Sequence, residues 1–221
     1  KRRSRRPCWV SGVRKLPVHS STRSTPRSPQ GMSAAVAWVR AHIAVHGGDP
    51  ERITLSGHSA GAHIAAMLAL DGQWLEKAGA GANAVKAFVG LSGPYDFLPF
   101  ESERTRQAFE GVVFPETVQP ISFVRPDAPP CLLITGDADT VVLPRNSRSL
   151  AAELTRQGAR AQVITYTGLN HADTVMALSR PFRGKADVLQ DLADFALGEG
   201  GQKRAPNAPS QTASGAASAA A

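Results

Sequence analysis

Three stretches of this 221-residue chain carry side chains that can do covalent chemistry together. The first is Gly57-His58-Ser59-Ala60-Gly61, a G-x-S-x-G run with a short β-rich segment (residues 52–56) in front and a helix-forming run (63–70) behind. In that setting the serine stands on a sharp strand-to-helix turn that lifts its hydroxyl above the strand end. Gly57 and Gly61 keep the neighbouring backbone clear of the strained serine. The N–H of Ala60 opens the helix and points toward any negative charge that develops beside Ser59, half of an oxyanion hole. A hydroxyl nucleophile needs a base, and the base needs an acid to orient it. The second stretch, Gly136-Asp137-Ala138-Asp139, supplies carboxylates; the third, Gly168-Leu169-Asn170-His171, supplies an imidazole. Together these residue types support acyl transfer through a serine.

Other titratable residues have plainer readings. His42 and His46 are four apart on one helical run, without the acid between them that a zinc-protease helix carries, so they read as a surface or satisfied pair. His58 and His63 flank the turn and shape its packing, and His19 lies in the N-terminal segment. Cys8 and Cys131 are too few for a disulfide scaffold or a cysteine-rich metal site, and Cys131 opens an apolar run as a small buried thiol. No metal is implied, and serine acyl transfer needs no cofactor.

The elements that must position these groups alternate along the chain. The spacing of Val36, Val39 and Ile43 predicts a helix over 33–45, stopped by Gly47-Gly48-Asp49-Pro50. Strands are expected at 52–56, 85–91, 131–135 and 161–166. Helices are expected at 63–70, at 147–157 through Leu150 and Leu154, and around Val188, Leu192 and Phe195. This is an α/β pattern: right-handed βαβ units, a parallel sheet and flanking helices. Asp139 and His171 both fall just past strand C-termini, the edge where open parallel sheets assemble their sites. Residues 97–130, rich in proline and phenylalanine, read either as part of a lid over an acyl pocket or as a packed connector with one helix near 104–109.

GHSAGAH at 57–63, SGPYDF at 92–97, GDADTVV at 136–142 and NHAD at 170–173 resemble the α/β-hydrolase superfamily, in its bacterial carboxylesterase and lipase-like branch, which includes arylformamidase-type enzymes. The resemblance covers about residues 32–198 and implies the C-terminal portion of that fold. It implies a triad in the chain order Ser59, Asp139, His171. The acid of its G-x-x-D turn maps onto Asp139, which leaves Asp137 as turn structure and Asp96 as an alternative, since some lipases take their acid there. The implied substrate is a small carboxylic ester, with an aryl formamide as alternative. The family normally has several strands before the serine turn, and an HGG-type loop that gives a second oxyanion donor. Here His46-Gly47-Gly48 only caps a helix. The N-terminal part of the fold is therefore expected to be absent, leaving an unpaired strand edge and an impaired fragment as a further alternative.

The net charge of +7 is a property of one end. Residues 1–30 hold nine cations, four prolines, six serines and no acid, whereas 31–221 carry 16 cations against 18 acids. The first 30 residues read as an arm: a transit peptide, a nucleic-acid arm, or non-native sequence from a shifted frame with its junction near Gly31-Met32. No nucleic-acid-binding fold follows, so no such partner is expected. The hydrolase domain spans 31–199 and a Gly/Ala/Ser/Pro-rich tail 200–221. No apolar run has the roughly 18–20 residues that span a bilayer. The lack of a signal-peptide core favours the cytoplasm, and oligomeric state is not legible.

Overall fold

Four runs of aliphatic and β-branched residues pair into one sheet in the computed structural model, which describes residues 28–198. The basic segment through residue 27, with Cys8 and His19, and the tail from 199 lie outside the described residues. The strands are β1 (Ile53–His58), β2 (Val85–Leu91), β3 (Cys131–Gly136) and β4 (Ala161–Tyr166), all parallel and in that spatial order. Gly57 lies opposite Gly90 and His58 opposite Leu91, so the C-terminal ends of β1 and β2 finish level. Among the described residues β1 has a strand partner on one side only.

The helices are α1 (Ser28–His42), α2 (Ala60–Leu70), α3 (Gln73–Lys77), α4 (Glu103–Ala108), α5 (Arg145–Arg156), α6 (Asp173–Met176) and α7 (Val188–Leu197). Side chains alternate across each strand and so build two apolar layers. Leu55, Phe88, Cys131 and Leu133 face Ala62, Ala66, Leu150 and Leu154 on one side. Val89, Leu91, Leu132 and Ile134 face Val188, Leu192 and Phe195 on the other. Every residue of β3 is buried, as a central parallel strand covered on both faces requires. Alanines along α2 bring that helix close to the sheet, which fixes the residue that precedes it.

Boundaries differ from the sequence expectation where periodicity carries no signal. α1 begins at Ser28, five residues before the expected start, with Pro29 in its first turn, where a missing N–H costs nothing. Its end tightens into a 3₁₀ turn, Ile43–His46, closed by Gly47 at φ 81°. β1 runs on to His58 because Ser59 N–H continues the ladder to Leu91 O (2.9 Å). Residues 97–130 contain α4 and two 3₁₀ turns, Pro115–Val118 and Pro120–Phe123.

Candidate active site

Ser59 sits between β1 and α2 with φ 54° and ψ −124°, a conformation that a residue with a side chain adopts only when its surroundings force it. The ladder bond to Leu91 holds it from below, and α2 begins at once above it. A Cβ at Gly57 would run into the carbonyl of Gly61, so glycine is required there. Gly61 differs from expectation: a Cβ there would meet nothing within 4 Å, so steric crowding does not explain it. Ala60 is exposed and is the first residue of α2, so its N–H has no acceptor within the helix.

The three residues singled out from sequence come together across 112 positions of chain. His171 Nε2 is 2.9 Å from Ser59 Oγ, and His171 Nδ1 is 2.8 Å from Asp139 Oδ2. Asp139 is 2% exposed. Its other oxygen accepts the N–H groups of Val141 (3.0 Å) and Val142 (2.9 Å), which holds the carboxylate in one orientation. Asp137 instead accepts the N–H of Gly168 (2.7 Å) and ties the β3 turn to the loop carrying His171. That loop crosses directly over Gly136, where any Cβ would strike the backbone of Leu169. Asp96 meets Asn146 through its backbone: Asn146 Oδ1 accepts the N–H groups of both Tyr95 and Asp96 at 3.0 Å.

Both histidines beside the turn make long-range bonds. His58 Nε2 donates to the carbonyl of His171 at 2.8 Å, and the two rings lie 4.7 Å apart. His63 Nε2 donates to Val118 O at 2.7 Å and packs edge-on against Phe97 and Phe109, which fastens the 97–130 segment to the first turn of α2. Burial lowers the pKa of both below the usual histidine value, so each favours its neutral form. Beyond His171, the Asp173 carboxylate accepts Asn170 N–H at 3.1 Å and pairs with Lys185. The Lys185 contact, with the Asn170 bond, holds Asp173 below the usual carboxylate range.

Sequence reasoning did not single out Asn146, Gln119, Thr174 or Lys185, each of which has a partner 12 to 82 residues away that leaves no local pattern. Among the described residues, no three His, Cys, Asp or Glu side chains gather where a metal ion could be held. No described helix is long and apolar enough to cross a membrane.

The sequence matches the BD-FAE family over residues 18–154, a stretch that starts within the basic N-terminal segment. It is 33% identical over 192 residues to the Arabidopsis thaliana protein named Probable isoprenylcysteine alpha-carbonyl methylesterase ICMEL1, covering 76% of this chain and 40% of that protein. It is 34% identical over 177 residues to Esterase LipQ of Mycobacterium tuberculosis, covering 73% of this chain and 41% of that protein. The chain thus spans about two-fifths of the length of these curated relatives. Among solved structures, one described as a truncated form of carbohydrate esterase from gut microbiota superposes with a TM-score of 0.66 at 25% identity, covering 79% of this chain and 68% of that one.

Proposed function

The chain belongs to the BD-FAE family and has an α/β-hydrolase fold, and from that premise we propose that it hydrolyses a small carboxylic ester through an acyl-enzyme intermediate. Relatives named as a methylesterase and as an esterase support an ester as substrate. The observation that carries the reading is the hydrogen-bonded series Ser59 Oγ, His171 Nε2, His171 Nδ1, Asp139 Oδ2, at 2.9 and 2.8 Å.

In this reading Ser59 Oγ attacks the ester carbonyl while His171 Nε2 takes its proton. The buried Asp139 carboxylate fixes the tautomer with Nδ1 protonated and stabilises the imidazolium as it forms. Negative charge on the carbonyl oxygen is met by the free N–H of Ala60, reinforced by the positive end of α2. His171 then hands the proton to the departing alkoxide, which leaves as the alcohol. Water, deprotonated by the same imidazole, attacks the acyl carbonyl, and collapse of that intermediate returns the proton to Ser59 and frees the carboxylic acid.

The test is labelling of the full chain with a fluorophosphonate probe, alongside hydrolysis of p-nitrophenyl acetate. Labelling and turnover that both vanish in Ser59→Ala are the expected result. Folded chain that takes no label overturns the reading.

A further inference from the structure

The bond between His171 and Ser59 cannot by itself hold the imidazole throughout a reaction. Once Ser59 is acylated its oxygen has no proton to share, and His171 must still face the incoming water. Asp139 steadies the far nitrogen, which leaves the backbone of the His171 loop as the remaining degree of freedom. Two side chains grip that backbone at one atom: the carbonyl of His171 accepts from His58 Nε2 at 2.8 Å and from Thr174 Oγ1 at 3.2 Å.

We propose that His58 is a positioning residue for His171, setting the distance between nucleophile and base by holding the His171 carbonyl from the residue next to Ser59. This inference rests on the hydrolase reading above. Consecutive residues of one rigid turn, His58 and Ser59, thereby meet opposite ends of His171, its carbonyl and its Nε2. A carbonyl only accepts, so His58 must carry its proton on Nε2. The two rings stand side by side at 4.7 Å and 46°, close enough that a charged His58 would oppose formation of the His171 imidazolium. Burial favours the neutral ring, which is the form the positioning role needs.

The second grip is tied to the sheet. Thr174 Oγ1 lies 3.1 Å from Ser92 Oγ, and Ser92 is buried at the end of β2 with φ 47°. The Ser92 N–H is fixed to Ile134 O on β3 at 2.8 Å. The His171 carbonyl is therefore referenced to β1 through His58 and to β2 through Thr174 and Ser92. Displacement of a base by about 1 Å costs up to roughly 100-fold in rate, so a support of this kind acts on turnover and not on binding.

The experiment compares His58→Phe, His58→Gln and the wild-type full chain in p-nitrophenyl acetate hydrolysis and in the rate of fluorophosphonate labelling. Phenylalanine fills the space without a donor; glutamine returns an amide N–H at similar reach. Expected for His58→Phe is a fall in kcat of roughly 10–100-fold with KM within about twofold. His58→Gln is expected to recover most of that loss. Wild-type kcat in His58→Phe overturns the proposal, as does a His58→Gln variant no better than phenylalanine. If His58→Phe does not fold, His58→Leu takes its place as the variant without a donor: a fall in kcat at constant KM is expected, and unchanged kcat overturns the proposal. A wild-type chain without Ser59-dependent labelling overturns this and the hydrolase reading together, whereas a labelled wild type with an indifferent His58 overturns this inference alone.

Discussion

Ahead of β1, β2 and β4 the backbone takes its left-handed turns on glycine, at Gly47, Gly81 and Gly158, with φ of 81°, 85° and 88°. Directly after β1 and β2 it takes positive φ on serine, at Ser59 (54°) and Ser92 (47°). Glycine visits that region without a steric penalty, whereas a residue with a Cβ is strained there by about 1–3 kcal/mol. The polar side chains divide the same way. At the N-terminal edge Arg52, Lys86 and Arg160 line a shallow hollow beside the end of α7, where cations suit a helix C-terminus and Arg52 donates to Leu197 O. At the C-terminal edge Asp139, Asn146, Asp173 and Thr174 are buried and held by specific bonds. One edge is built for low strain; the other holds strain and buried polarity in place because the packed sheet beneath over-determines it.

That contrast can be broken most forcefully at Asp139. Asp139→Asn keeps an oxygen for the Val141 and Val142 N–H groups but loses control of the His171 tautomer, so kcat should fall by about 10⁴-fold with the fold intact. Steady-state kinetics with matched circular dichroism spectra check this, and a loss under tenfold would remove Asp139 from the proposed triad. Next in size, Gly57→Ala should lower stability by about 3 kcal/mol or more, because its Cβ collides with rigid backbone. Gly61→Ala should be neutral or stabilising by up to about 1 kcal/mol, since its Cβ meets open space in a helix. Denaturant titration of the pair decides whether crowding at the turn is as one-sided as the structure has it.

A smaller effect compares the two edges directly. Ser59→Gly should stabilise the chain by about 1 kcal/mol while abolishing turnover, and Gly158→Ala should destabilise it by about 1–2 kcal/mol. The same sign for both would mean that strain is not stored preferentially at the C-terminal edge. The smallest prediction concerns pH. Burial holds the His63 pKa below 6.5, so below that pH the unfolded chain binds a proton that the folded chain resists. Stability is therefore full above about pH 6.5 and declines as pH falls, by at most about 1.4 kcal/mol per unit for one group. His63→Gln should flatten the acid limb of a stability-versus-pH curve, and an unchanged limb would count against a neutral, half-buried ring.

Much of the sheet was legible because each strand is a short aliphatic run bounded by turn residues. The 85–91 and 161–166 strands match those expectations in extent, and 131–135 differs by one residue. α1 was legible in its middle and not at its start, since Ser28, Pro29 and Gln30 carry no apolar period. α3 and α6 went unseen; four or five residues are too few to show one. At the site, the G-x-S-x-G turn marks Ser59 because its chemistry is local, whereas the work of His58 and the tie of Thr174 to Ser92 depend on partners 113 and 82 residues away.

The sequence alone determined the α/β alternation, the strained serine turn and the order in which a serine, candidate carboxylates and a histidine follow their strands. These are local properties, set by side-chain volume, backbone freedom and periodicity within a few residues. Tertiary structure decided which carboxylate His171 faces, since Asp137 and Asp139 share one turn and only the path of the 168–171 loop over Gly136 separates them. It also decided that His58 meets the His171 carbonyl 113 residues away. Strand order and register fix such distances to tenths of an ångström, and both follow from how the whole sheet packs.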